Sequence, residues 1–304
     1  MTAEKSFGLA AGQGSMLNSG QGPMLNSERN TRLMAEQREQ NLQPEIEASA
    51  VVKIGGALVA ADLSRFWVDV AALKERLPVI VVHGSGPEAT RVARLLGHEA
   101  EIVHGRRVTT ERDLEIIEWV ARGALNTRLV GQAVACGVRA VGISGVDASL
   151  VLVVRRPPWN IDGRQVDFGL VGDVESINPE LLQTLLSAGL TPVIAPLGVD
   201  RAGQAYNVNA DTMAREIAQA MGADQLMLVT ETGSLRAAAD GTGPVVAECD
   251  RAMFTAGVEE GWIAGGMRVK LQVAFEALQA GVREVCIVGP DDLIGRSKAT
   301  RVVF

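Results

Sequence analysis

Val79-Ile80-Val81-Val82-His83-Gly84-Ser85-Gly86-Pro87 decides how this chain is read. A run of β-branched residues fits a short strand buried on both faces, and such strands belong to parallel sheets covered by helices. The glycines then turn the chain, and the stretch 88–96 has helical periodicity, so the segment reads as strand, loop and helix N-terminus. The same alternation runs outward in both directions. Apolar stretches at 51–54, 140–143, 192–195, 225–230 and 285–288 predict further buried strands. Amphipathic stretches at 61–76, 111–122, 125–136, 179–188, 211–221 and 269–280 predict the helices between them. Thr110 followed by Asp113 predicts a capped helix start, as does Asn178 before Pro179. The expected fold is therefore α/β, an open, mostly parallel sheet sandwiched between helices. Between 150 and 174 valine-rich segments flank Asp162-Gly163, a two-residue turn signal that predicts a β-hairpin insertion over the sheet.

The chain has 304 residues, is 47% hydrophobic and carries a formal net charge of -7. That length suits one large α/β unit or two lobes, placed here at 49–195 and 196–304 after an N-terminal extension at 1–48. The acidic balance argues against a nucleic-acid partner, which would need a face that neutralises phosphates. No apolar stretch reaches the ~20 residues that cross a bilayer. No basic segment followed by a long apolar core opens the chain as a secretory leader would, and a cytoplasmic location is expected. Cys136, Cys249 and Cys286 are far apart, lack metal-ligand spacing and read as buried free thiols. His83, His98 and His104 form no metal pattern either. In the extension, 12–19 is nearly repeated as 20–27, a polar, glycine-bearing tract expected to be disordered. The stretch 28–47 could form a helix with a thin apolar stripe (Leu33, Met34, Leu42, Ile46), either an oligomerisation helix or a solvated tether.

Chemistry is concentrated at the ends of the expected strands, where ligands sit in parallel α/β sheets. Lys53-Ile54-Gly55-Gly56 follows the first strand, and Gly265-Gly266-Met267-Arg268-Val269-Lys270 opens the last helix. Glycine pairs let the backbone approach a bulky anion with its N–H groups pointing at phosphate oxygens, and two converging ammonium groups would spread the charge of a transferring phosphoryl group. The Gly84-Ser85-Gly86 loop could receive an anion at a helix N-terminus. It lacks the lysine-serine pair of a P-loop and does not complete a dinucleotide fingerprint. Gly105-Arg106-Arg107-Val108-Thr109 offers a guanidinium able to hold a carboxylate through two parallel hydrogen bonds. Asn207, Asn209 and Asp211 alternate, so an extended segment would point all three the same way, while capping alone could explain one of them.

Together these pieces resemble the amino acid kinase family, over about residues 50 to 290, and within it the acetylglutamate kinase branch. Lys53-x-Gly55-Gly56, His83-Gly84-x-Gly86-Pro87, Gly105-Arg106-Arg107-Val108-Thr109, Gly142-x-Ser144-Gly145-x-Asp147, Val171-Gly172-Asp173-Val174, Asn207-Val208-Asn209-Ala210-Asp211 and Gly266-Met267-x-x-Lys270 stand in the family's order and spacing. The resemblance implies ATP-dependent phosphorylation of the side-chain carboxylate of N-acetyl-L-glutamate, in arginine biosynthesis. Related kinases act on carrier-linked aminoadipate, and a non-catalytic relative is a further alternative.

By the family's pattern, Lys53 and Lys270 contact the phosphates, and Asp211 holds both lysines. Gly55, Gly56, Gly84 and Gly86 form the backbone cradle, and Ser85, within the Gly84–Gly86 loop, falls on the acyl-substrate side. Arg107 pairs with the substrate's α-carboxylate, and Asn207 and Asn209 bind its amide end. Thr230, Glu231, Gly233, Gly266 and Met267 belong to the nucleotide side. The first lobe would take the acyl substrate and the second the nucleotide. Mg²⁺ would arrive on the nucleotide, with no metal site in the protein itself. A homodimer is implied, or a hexamer joined through the helix at 28–47. Ser85 stands in the middle of what is usually a glycine triplet; a positive φ there would cost a serine about 1 kcal/mol.

Overall fold

A computed structural model describes residues 48–304 apart from Asp162 and Ala239; the repeated tract and the helix expected at 28–47 lie outside the described residues. Among the described residues the central sheet has eight strands. Their order across the sheet is Glu248–Cys249, Thr300–Val302, Glu284–Val288, Gln225–Val229, Ala50–Ile54, Val79–His83, Thr191–Ala195 and Ala140–Ser144. All six strands expected from the sequence are there, joined side by side in parallel. The other two form an edge, with Thr300–Val302 antiparallel to Glu284–Val288. Both are too short to show a period in sequence.

Strand alternation divides the core between the two faces of the sheet. Val51, Ile80 and Val82 join the layer beneath the helices Ala210–Ala220 and Gly265–Gln279. Val52, Ile54, Val79 and Val81 join the layer built around Phe66 and Trp67 of the helix Ser64–Lys74. Coverage on both faces is why these strands are mostly apolar, with Lys53 and His83 near their carboxyl ends as exceptions, instead of alternating with polar residues.

The helices expected at 111–122 and 125–136 are one continuous rod. It is α-helical over Glu111–Ile117, widens to π pitch over Glu118–Leu125, and returns to α-helix over Asn126–Ala135. Thr110 and Asp113 cap its start reciprocally, as their spacing foretold. The Asn178 carboxamide accepts from the Glu180 N–H at 3.2 Å, beside a Pro179 already in helical conformation. The helix Arg251–Glu259, capped by Asp250, was not anticipated; the aspartate was its one legible signal.

A second sheet of four strands runs in the order Ala205–Asn207, Leu197–Val199, Val151–Arg155 and Gly172–Ile177. Val151–Arg155 and Gly172–Ile177 are antiparallel, and between them Trp159–Ile161 pairs with Arg164–Val166 as the expected hairpin around Gly163. Ile102–Val103 and Arg106–Arg107 make another short hairpin. The strand containing Asn207 ends there, and the Ala210–Ala220 helix takes in Asp211. Of the two readings of Asn207, Asn209 and Asp211, extended alternation therefore stops before the aspartate and capping holds for Asn209, with the helix expected from 211 beginning one residue earlier. Capping at Asn209 starts a helix at the next residue and sets Asp211 by helical geometry instead.

Candidate active site

Lys53 lies near the carboxyl end of its strand and Asp211 in the first turn of its helix. Their side chains, 5% and 10% exposed, form an ion pair with Nζ 2.8 Å from Oδ1. Burial alone would push the Asp211 carboxyl up. The charges of Lys53, Lys270 and Arg106, with the Lys53 hydrogen bond, outweigh it and hold the group below the ordinary carboxylate value. For Lys270 burial is the largest influence and lowers its pKa; Asp211 opposes that shift and Lys53 adds to it. The two lysines, 217 positions apart in the chain, are thus coupled to one carboxylate and to each other. One negative charge against two positive ones leaves the cluster short of an anion.

Two glycine loops meet beside this cluster, backbone against backbone. A Cβ on Gly84 would stand 2.9 Å from the Gly56 nitrogen, and one on Gly56 would stand 3.1 Å from the Ser85 nitrogen. Side chains are excluded by this approach, which is the physical reason for glycine at both places. Between the loops and the start of the Ala210–Ala220 helix opens a recess of ≈ 200 Å³, lined by Lys53, Gly56, Gly84, Ser85, Gly86, Asn209 and Asp211. Ser85 has a φ of −144°, so the feared left-handed strain is absent. Its side chain is buried at the recess and makes no hydrogen bond among the described residues.

Arg107 points toward the same loop. Its Nη1 lies 3.3 Å from Asp113 Oδ1, and its Nη2 donates to the Gly86 carbonyl at 3.3 Å and to Thr90 Oγ1. Asp113 also accepts from Thr110 and lies 3.1 Å from His98 Nε2, so helix cap and guanidinium share one carboxylate. Asn207 donates to Thr109 Oγ1 at 3.1 Å, tying its strand to the arginine strand. Asn209 is the helix cap, accepting from the Thr212 N–H at 3.0 Å, and is the one of the three polar residues that capping explains.

Gly55 follows Lys53 on the first loop, its N–H bonded to the Val229 carbonyl. Thr230, Glu231 and Gly233 form the turn after the strand Gln225–Val229, where Thr230 Oγ1 accepts from the Gly233 N–H at 3.1 Å. Gly265, with a φ of +52°, opens the helix that holds Gly266, Met267 and Lys270, and Lys270 Nζ lies 3.5 Å from the Gly266 carbonyl.

Sequence reading missed three groups. Arg106 stacks on Trp159 at 4.9 Å, and Arg156, anchored by Asp173, stacks on the same ring at 4.6 Å. Arg106 makes no hydrogen bond or ion pair among the described residues. It faces a second cavity of ≈ 1000 Å³ that also touches Thr212, Gly265 and Arg268. The third group, Asn126 beside His83, carried no signal beyond a polar residue in a helical stretch. Cys249 and Cys286 are buried as expected, whereas Cys136 is only partly so. No group of three or more His, Cys, Asp or Glu able to hold a metal stands among the described residues. No described helix is long and apolar enough to cross a membrane.

Comparison with known proteins bears on the family and the fold. The family model for the amino acid kinase family matches residues 49–289. An acetylglutamate kinase of Symbiobacterium thermophilum is 41% identical over 244 residues, spanning 79% of this chain and 83% of its own. One from Methanopyrus kandleri is 39% identical over 254 residues, spanning 83% and 99%. Among solved structures, smu.665 from Streptococcus mutans superposes with a TM-score of 0.72 at 23% identity, covering 84% of this chain and 98% of that one. Carbamate kinase from Giardia lamblia does so with a TM-score of 0.57 at 15% identity, covering 85% and 99%, and shares the fold alone. With its lysine pair on one carboxylate, its facing glycine loops and a family match over most of its length, this chain belongs to the amino acid kinase family.

Proposed function

We propose that the chain transfers the γ-phosphoryl group of ATP to the side-chain carboxylate of N-acetyl-L-glutamate, making an acyl phosphate in arginine biosynthesis. The observation that carries this reading is the cation-rich cluster in which Lys53 and Asp211 line a recess walled by glycine backbone and Lys270 is coupled to the same carboxylate. A glutamate side chain, with a pKa near ~4.3, is already ionised at neutral pH, and its attack needs no general base. The obstacle is repulsion between an anionic nucleophile and an anionic phosphate, which fixed cations and N–H dipoles oppose.

Lys53 and Lys270 hold the non-bridging oxygens of the transferring group, and Asp211 keeps both ammonium groups aimed at one point. Gly55, Gly56, Gly84, Ser85 and Gly86 line the cradle. Arg107, preset by Asp113 and Thr90, pairs with the substrate's α-carboxylate, and Asn207 and Asn209 receive its amide end. Thr230, Glu231, Gly233, Gly266 and Met267 border the nucleotide. In this reading residues 49–195 serve the acyl substrate and 196–304 the nucleotide. Mg²⁺ supplies further charge neutralisation, carried in by the nucleotide.

A second reading, a kinase for a larger anionic acyl group such as a carrier-linked aminoadipate, is favoured by Arg106 alone, which faces the ≈ 1000 Å³ cavity without a hydrogen-bond acceptor among the described residues. A coupled ADP-release assay with N-acetylglutamate, with an aminoadipate derivative and with no acceptor separates the two. Turnover with N-acetylglutamate well above both other arms is expected. Turnover with neither acceptor would refute catalysis.

A further inference from the structure

His83 ends its strand one residue before the loop glycines and is fully buried. Its Nδ1 lies 3.1 Å from the Gly84 carbonyl oxygen, and its Nε2 lies 3.1 Å from Asn126 Nδ2. The protonation state of the ring follows from its neighbours. Asn126 Nδ2 also lies 2.8 Å from the Val193 carbonyl, which can only accept, so this end of the carboxamide is the NH₂ group. Its remaining hydrogen points at His83 Nε2, which must present a lone pair. The ring proton then sits on Nδ1 and is donated to the Gly84 carbonyl. Burial drives the imidazole pKa down to about 4, the Gly84 hydrogen bond opposing and the Arg122 charge assisting, so the ring is neutral at physiological pH.

The surroundings are built to keep Asn126 in place. The π-pitch segment Glu118–Leu125 adds residues per turn immediately before it, and such insertions re-aim the side chains that follow. Arg122 Nη1 reaches Asn126 Oδ1 at 3.4 Å. Arg122 Nε also lies 3.8 Å from Asp147, whose carboxylate accepts from the Ser144 N–H and hydroxyl. A Cβ on Gly142 would fall 2.0 Å from Asn126 Oδ1, so this glycine of the Gly142-x-Ser144-Gly145-x-Asp147 motif makes room for the carboxamide.

We infer that His83, held as the neutral Nδ1–H tautomer by Asn126, is the positioning residue that aims the loop's backbone at the anion. The Gly84 carbonyl and the Ser85 N–H belong to one planar trans peptide and point in opposite directions. Fixing the oxygen on the histidine side fixes the N–H on the other side. The Ser85 N–H has no acceptor among the described residues, and Ser85 lines the recess. Its natural acceptor is an oxyanion, the transferring phosphoryl group or the carboxylate it joins. The kinetic consequence rests on the phosphotransfer proposed above; the tautomer does not.

Two measurements on the full chain test this. Long-range ¹H–¹⁵N spectra of histidine-labelled protein, with His83 assigned by its loss in a variant, should show Nδ1 protonated and Nε2 bare from neutral pH down to mildly acidic. An Nε2–H tautomer or a charged ring at neutral pH would overturn the inference. In kinetics, His83→Gln places an amide near the Nε2 position and loses the donor to Gly84, whereas His83→Asn places one near Nδ1 and keeps it. The glutamine variant should lose about 10–100-fold in kcat, as misaimed catalytic groups do, with KM for ATP little changed. The asparagine variant should recover most of that loss at a similar thermal midpoint. Equal kcat in the two variants, or losses that merely follow thermal stability, would also overturn it. Should the wild-type chain lack turnover, the proposed function fails by itself and the tautomer spectrum still decides this inference.

Discussion

Asp211→Asn is the most informative single change, because it preserves shape and removes one charge from beneath two cations. Lys53 and Asp211 are about nine-tenths buried or more, and their atoms are 2.8 Å apart. Deleting one partner of such a pair leaves the other charge stranded, which costs about 3–5 kcal/mol. At about 2–4 °C per kcal/mol for a chain of this size, the thermal midpoint should fall on the order of 10 °C.

The pH dependence has a defined sign. Asp211 titrates below its ordinary value of 3.8 in the folded protein, so its stabilisation is complete above that value and lost as pH falls through the lower folded pKa. The asparagine variant should lack this acid limb. Lys270 loses the charge that opposed its depression, so its pKa falls further and the alkaline limb of kcat moves to lower pH. Differential scanning calorimetry at several pH values, with kcat profiles, reads all of these. A Lys53→Met, Asp211→Asn double variant should be less destabilised than the sum of the singles, since neither member of the Lys53–Asp211 pair is then left without the other. A midpoint within 2 °C of wild type, with an unmoved alkaline limb, would refute the shared-carboxylate argument.

Lys53→Ala and Lys270→Ala should each lower kcat by about 100-fold or more with smaller changes in KM, as loss of a transition-state charge does; initial-rate kinetics check this, and unchanged turnover in both would remove them from catalysis. Arg107→Ala should raise KM for the acyl substrate more than KM for ATP, because its fork faces the Gly86 loop and the Thr110–Asp113 cap; the reverse pattern would assign it to the nucleotide. Gly84→Ala should part the two glycine loops, because its Cβ meets backbone nitrogen at 2.9 Å with no flexible side chain to yield; a crystal structure with unshifted loops and full activity would contradict the close approach. Burial pushes the Cys249 thiol up to about 11 and Cys286 to about 12, so native alkylation at neutral pH should label Cys136 first, read by mass spectrometry.

The parallel strands were legible because burial on both faces demands apolar, β-branched runs, and the run at 79–82 has that composition. The glycine loops and the lysines were legible because close backbone approach and cation placement restrict residue choice strongly, while Asp211 as their shared partner came from the family resemblance. The edge strands Glu248–Cys249 and Thr300–Val302 were not, because two or three residues carry no period. Asp211 shows the limit of pattern reading from the other side. Its partner residues were named in advance and a helix from 211 was expected, yet the direction of its side chain stayed open between extended alternation and capping until the Asn209 cap started the helix at Ala210.

The order of strands and helices, the type of fold and the residue types able to handle a phosphoryl group were determined by local composition, since each depends on which side chains a short segment can bury or expose. Which groups stand within hydrogen-bonding distance was decided only by the folded chain. Lys53 meets Asp211, Arg107 is already engaged by Asp113, and Arg106 turns to Trp159. His83 finds Asn126 across 43 residues of chain. Such contacts depend on crossover connections and on a π-pitch turn whose energy comes from packing between distant segments, and no neighbouring residue in the sequence records them.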